Sequence, residues 1–245
     1  MKKMAIFLEG QTEQIFVERL LETMSQRDDI VIEKRRGYGG KKTGRHFITL
    51  KSAKSPKVDD FFILLVDCSN DGRVLSDIRE QYHSLIKQGY SKILGLRDVY
   101  PRKVEELHRL KSMTGILLPK SPIRCRIVFA MLEIETWFIA EYTHFRRIHP
   151  SLTRDLIEEE LGIDPRSPDI ETILRPEKDS LKTSPAGDLN RLYHLVGKGY
   201  KKSRHQVNQI VANLDYNFIL ETLPQHIQGL RIFLNHISSF LYKEK

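Results

Sequence analysis

The stretch Phe61-Phe62-Ile63-Leu64-Leu65-Val66-Asp67-Cys68-Ser69-Asn70-Asp71-Gly72 decides the fold. Its apolar run, Phe61 to Val66, is far shorter than the roughly 20 residues a membrane helix needs. Asp59-Asp60 bound it on one side and the polar cluster Asp67 to Gly72 on the other. An apolar run with no polar face, bounded in this way, reads as a strand buried on both sides. Such strands belong to mainly parallel sheets with helices on both faces. A helix is expected next, from about Val74 to Gln88, stopped by Gly89.

The same rhythm extends in both directions. Met4 to Leu8 is a short apolar run ending at Glu9-Gly10, a strand followed by a tight turn. Ile15, Phe16, Leu20, Leu21 and Met24 recur at helical spacing and predict an amphipathic helix over 13–25. Ile30 to Glu33 is a second strand, and His46 to Leu50 is read as a helical turn. Lys92 to Leu96 is a further strand, ending at Arg97-Asp98. Tyr100-Pro101 breaks it, and Pro101 suits the entry of a helix running to about Met113. Ile116 to Leu118 and Ile123 to Phe129 are candidate strands, and Glu133 to Tyr142 is helical, with Trp137 inside it. This alternation predicts an α/β body over 1–148. Past it, Pro165, Pro168, Pro176 and Pro185 punctuate a polar stretch, and the tail from Gln206 to Leu241 is helical in pattern. Residues 149–245 are therefore read as a helical, partly irregular extension.

The chain of 245 residues is 40% hydrophobic and 29% charged, which excludes wholesale disorder. Two cysteines, Cys68 and Cys125, supply neither a disulfide framework nor a thiolate zinc site. The apolar stretch at the N-terminus is broken by Glu9, too early for a signal peptide. A reducing, cytoplasmic setting without membrane association is the expectation. The net charge of +8 is unevenly spread. Lys34, Arg35, Arg36, Lys41, Lys42, Arg45, Lys51, Lys54 and Lys57 put +9 into one acid-free segment, leaving −1 for the rest. Clustered positive charge among Gly and Ser is what a loop that binds a polyanion requires, and nucleic acid is the natural partner. A solvated surface loop is the plainer reading. A second basic cluster, Lys198, Lys201, Lys202, Arg204 and His205, either clamps the same strand or is a solvated helix start.

Acids gather where strands are expected to end. Glu9, Asp67 and Asp98 each close a predicted strand, and parallel strands lie only about 5 Å apart. In parallel sheets the working site lies at these carboxyl ends. Carboxylates at such separations repel unless a metal or a shared proton intervenes. Asp67 and Asp71 could converge on one hard cation, and Mg2+ takes one or two carboxylates together with phosphate oxygens. Asp98 either joins them or caps the following helix. Glu133 and Glu135 interrupt the apolar run from Met131 to Ala140. On a helix, residues two apart do not face each other, so one of the two is expected at a site; on a strand both reach it. No P-loop, His-Glu-x-x-His or nucleophile-elbow motif is present.

Four blocks in order carry a resemblance: Leu8-Glu9-Gly10-Gln11-Thr12-Glu13, Leu65-Val66-Asp67-Cys68, Gly95-Leu96-Arg97-Asp98-Val99-Tyr100-Pro101 and Glu133-Ile134-Glu135-Thr136-Trp137-Phe138. Together they resemble an uncharacterised bacterial Toprim-like family, related to the Toprim domains of OLD-family nucleases, primases and topoisomerases. The resemblance covers about residues 4–142, with a looser match at Tyr200-Lys201-Lys202. It implies Mg2+- or Mn2+-dependent hydrolysis of DNA or RNA. Glu9, Asp67, Asp71 and Glu135 would be catalytic, and Glu9, Asp67, Asp71, Asp98 and Glu133 would ligate metal. Lys34, Arg35, Arg36, Lys41, Lys42, Arg45, Lys201, Lys202 and Arg204 would hold the nucleic acid. The chain departs from the family's Asp-x-Asp pair, because position 69 is Ser. The resemblance further implies action beside an ABC- or SMC-like ATPase in anti-phage defence, and leaves a homo-oligomer open. The competing reading is a catalytically degenerate module that binds nucleic acid or an ATPase. A receiver-like role, with Asp67 as phosphoacceptor, is a minor third.

Overall fold

In the computed structural model, residues 61–66 do form the buried strand at the heart of the sheet. The structure describes residues 1–25, 29–40, 43–53, 57, 60–70, 72–99, 106–167, 170–173 and 184–242. The strands are β1 (Lys2–Leu8), β2 (Ile30–Gly40), β3 (Gly44–Lys51), β4 (Phe61–Asp67), β5 (Lys92–Asp98) and β6 (Cys125–Ala130). They form one six-stranded sheet in the order β3-β2-β4-β1-β5-β6. β4 pairs in parallel with β1, in a register from Lys2↔Phe61 to Leu8↔Asp67, and β2 and β5 flank this pair, also in parallel. β3 returns antiparallel along β2.

Helix α1 (Gln11–Ser25) leads from β1 to β2, and α2 (Arg73–Lys87) leads from β4 to β5. The first connection moves one way across the sheet and the second moves the other way. Right-handed crossovers therefore put α1 and α2 on opposite faces. Val74, Ile78, Tyr82 and Leu85 of α2 pack on Ala5, Phe7, Leu64 and Val66. The residues between these in the strands point to the other face, where Gln14 of α1 donates to the Leu65 carbonyl at 3.1 Å.

Two sequence expectations are corrected here. His46 to Leu50 is not helical but lies in β3. Ile48 and Thr49 are β-branched, and the antiparallel ladder with β2 satisfies the backbone, a partner that a local reading cannot see. The basic segment is thus largely a hairpin rather than a loop, though Lys41 and Lys42 lie outside the described residues. Ile116 and Leu117 fall in helix α3 (Leu107–Leu117), because an apolar run this short does not distinguish strand from helix.

The chain clusters into two compact units. The first comprises Met1–Arg97, Val104–Phe129 and Asn235–Lys245; the second comprises Asp98–Lys103 and Ala130–Leu234. The sequence pattern places a single boundary near residue 148. The second unit is helical: α4 (Glu135–Ala140), α5 (His144–Ile148), α6 (Arg154–Leu161), α7 (Ile170–Ile173), α8 (Pro185–His194) and α9 (Arg204–Asn213), then a π-helical turn at Phe218–Thr222 and the start of α10 (Gln228–Leu241). Trp137, Phe138 and Phe145 are buried at its centre. Among the described residues, no helix is long and apolar enough to cross a membrane.

Arg45 illustrates how the hairpin is held. Its guanidinium passes over Gly37, where an added Cβ would lie 2.3 Å from Nη2. It then pairs with the fully buried Asp77 and donates to the Cys68 carbonyl at 2.7 Å. Removing one member of a buried pair strands the other's charge. Arg45→Met should therefore cost about 3–5 kcal/mol of stability in urea unfolding. A loss within experimental error would mean that the pair contributes nothing.

The second unit offers a spectroscopic probe. Trp137, the sole tryptophan, donates from Nε1 to Glu171 Oε1 at 3.2 Å. Burial raises the Glu171 carboxyl above its ordinary 4.5, against the opposing hydrogen bonds from Trp137 and Met131. The folded chain therefore holds this proton more tightly than the unfolded chain. The resulting stability is fully present below the unfolded pKa and is lost as pH rises through the raised value. Trp137 emission should titrate with a midpoint above 4.5, and Glu171→Gln should abolish the transition. A midpoint at or below the ordinary value would contradict the assignment.

Candidate functional site

At the carboxyl edge of the sheet, within the first unit, four neighbouring strands present a row of charges in which two acids lie between two arginines. Following the order β2, β4, β1, β5, these are Arg36, Asp67, Glu9 and Arg97. Arg36 Nε donates to Asp67 Oδ2 at 2.6 Å, and its Nη2 donates to Gln11 Oε1 at 3.1 Å. Asp67 Oδ1 accepts from the Ser69 backbone N–H at 2.8 Å. Glu9 Oε1 lies 3.5 Å from Arg97 Nε. Glu9 and Asp67 therefore do stand on adjacent strands, as the sequence implies, but each has an arginine beside it. Asp71 lies outside the described residues.

A second acidic group forms within the second unit. Oxygens of Asp98, Glu133 and Glu135 all come within 4.8 Å of one another. Asp98 is the last residue of β5. Directly after it, the Val99 N–H donates to the carbonyls of Ala130 and Leu132 at 3.0 and 3.1 Å. These bonds bring the chain leaving β5 alongside the segment that carries Glu133. Glu135 begins α4, while Glu133 precedes that helix. The spacing rule that would separate residues two apart on a helix does not apply, and both carboxylates reach the site.

Each glutamate is held by one oxygen. Glu133 Oε2 accepts from the Ala186 N–H at 3.1 Å, in the first turn of α8, which Ser184 caps through the Gly187 N–H. Glu135 Oε1 accepts from Tyr200 Oη at 2.7 Å. The remaining oxygens converge on a single ammonium. Lys202 Nζ donates to Glu133 Oε1 at 2.9 Å and lies 3.3 Å from Glu135 Oε2, which itself makes no hydrogen bond. Glu135 is fully buried. Burial raises its carboxyl pKa, the Lys202 charge opposes this, and the neighbouring Glu133 adds to it.

This donor set fits a hard divalent cation. It is all oxygen, it is carboxylate-rich, and two of its carboxylates are oriented by a backbone N–H and a phenol behind them. Asp98, Glu133 and Glu135 would hold such an ion.

The basic residues divide into two sets. In the first unit, Lys34 is buried against Glu18 at 2.5 Å, and Arg35 pairs with Glu33 at 2.6 Å. Arg36 and Arg45 are taken by Asp67 and Asp77. In the second unit, Lys201, Lys202 and Arg204 are exposed, with Lys202 reaching back into the acidic group. Tyr200, which orients Glu135, lies in the looser match at Tyr200-Lys201-Lys202 but is given no site role by the sequence pattern. Its place two residues before Lys202 is the available signal.

No curated protein and no solved structure matches the chain. A family model matches residues 8–231, taking in both acidic groups and the basic segment from 198 to 205. On that span, the chain belongs to the family described as Domain of unknown function (DUF4276).

Proposed function

We propose that the chain is a divalent-metal-dependent nuclease whose chemistry is carried by Asp98, Glu133 and Glu135, with the exposed Lys201 and Arg204 holding the nucleic-acid backbone. The observation that carries this reading is the convergence of three carboxylates within 4.8 Å, beside a run of exposed basic residues in the same unit. An acidic site repels a polyanion, and nearby lysine and arginine offset that repulsion. Mg2+ or Mn2+ at this site would polarise a phosphoryl oxygen and acidify a bound water.

The protein's own groups supply the rest. Asp98, Glu133 and Glu135 are placed to hold the ion, and burial, which disfavours a lone charge on Glu135, adds to the need for a cation there. Tyr200 Oη fixes the orientation of Glu135. Glu9 and Asp67, each beside an arginine, lie outside the metal set of this reading. A second reading, a nucleic-acid-binding module without chemistry, draws support from Lys202, which already neutralises part of the acidic charge.

Cleavage of plasmid, single-stranded DNA and tRNA with Mn2+ separates the two. Under the nuclease reading, Asp98→Asn and Glu133→Gln reduce cutting to background while near-ultraviolet circular dichroism is retained. Cutting that persists in both variants discards the site. The binding reading expects no cutting by any of these proteins. Replacing Lys201 and Arg204 with Gln should weaken binding and lower the slope of log K against log salt by about 0.7–0.9 for each phosphate that is no longer neutralised. An unchanged slope removes this face from the interface.

A further inference from the structure

The position of Lys202 carries an inference that rests on the metal-site reading and goes beyond it. Each of Glu133 and Glu135 has one oxygen committed to a fixed donor, the Ala186 N–H and Tyr200 Oη respectively. The other oxygen of each, Glu133 Oε1 and Glu135 Oε2, faces Lys202 Nζ at 2.9 and 3.3 Å. The ammonium thus bridges the two oxygens that a metal ion would take. Its side chain is 43% exposed, so an outward path to water is open. It leaves the backbone in an exposed segment, Lys201 to His205, rather than from the packed interior.

We infer that Lys202 is a built-in placeholder cation: it holds the carboxylates together in the metal-free protein and must swing out when a divalent ion binds. Two carboxylates at this distance repel, and one of them is wholly buried, so an empty site without a cation would be strained apart. The ammonium keeps the donor set assembled and competes with the incoming ion for the same oxygens. Apparent metal affinity is then reduced by the fraction of molecules in which Lys202 has vacated the site. Removing the lysine removes this competition at the expense of the metal-free state.

The test uses the full-length protein and Mn2+ alone. By titration calorimetry, Lys202→Met should bind Mn2+ about ten-fold more tightly than wild type, about 1.4 kcal/mol. Without metal the variant should melt at a lower temperature than wild type, and Mn2+ should raise its melting temperature by the larger increment. Amine acylation read by mass spectrometry tests the same idea in the unmodified sequence, where folding of a variant is not in question. Mn2+ should speed acylation of Lys202 several-fold while that of the exposed Lys201 stays constant. If Mn2+ binds wild type and Lys202→Met equally, or binds the variant more weakly, and Lys202 acylation is unmoved, the placeholder role is refuted and the metal site stands. If neither protein binds Mn2+, the metal site itself falls, and the placeholder role with it.

Discussion

The parallel pairing of β4 with β1 is the constraint on which the rest depends. Its register, from Lys2↔Phe61 to Leu8↔Asp67, brings the apolar runs Met4–Leu8 and Ile63–Val66 together with both faces buried. Burial at roughly 25 cal/mol per Å2 of apolar surface makes a slip costly, because no face of either strand tolerates water. Once this pair is set, β2 and β5 add at its edges and their connections need opposite faces of the sheet. The parallel register then lines up the charges near the carboxyl edge of these strands.

This alignment has an electrostatic consequence. The two acids, on β4 and β1, stand between arginines on β2 and β5, so each carboxylate has a guanidinium on its outer side. A row of carboxylates alone would have demanded a metal ion or a shared proton. In the first unit the flanking Arg36 and Arg97 offset the repulsion between Glu9 and Asp67. In the second unit the balance differs. Three carboxylates gather there, and two of them, Glu133 and Glu135, meet the ammonium of an exposed lysine that lies outside the sheet. A cation on a mobile side chain can be exchanged, whereas an arginine locked between strands cannot move without disturbing the ladder. That contrast is the physical basis for placing the candidate chemistry in the second unit.

The positive charge of the chain is distributed by the same logic. Lys34, Arg36 and Arg45 belong to the most basic stretch of the sequence, yet they spend their charge on Glu18, Asp67 and Asp77. A charge run in sequence is a property of consecutive residues, while a charged surface is what remains after pairing. The smaller cluster at 201–204 stays exposed and so contributes more to the field that a polyanion meets.

Much of the architecture was legible from local pattern. An apolar run with no polar face, ended by acids and followed by helical periodicity, identifies a buried parallel strand wherever it occurs in a chain. Met4–Leu8, Phe61–Val66 and Lys92–Leu96 were found in this way, as was Asp98 at the end of the third, while Glu133 and Glu135 stood out as acids inside an apolar run. β3 was not legible, since its polar, edge-strand sequence is held by the ladder to β2 and not by its own pattern. Nor was the choice among the acids. Arg45 meets Asp77 across 32 positions and Lys202 meets Glu133 across 69, and no local periodicity encodes such pairs. By itself the sequence determined where the buried strands and their helices form, because hydrophobic periodicity is read one turn or one pleat at a time. Only the tertiary structure decided which carboxylates share a cation, because electrostatic energy depends on distance in space.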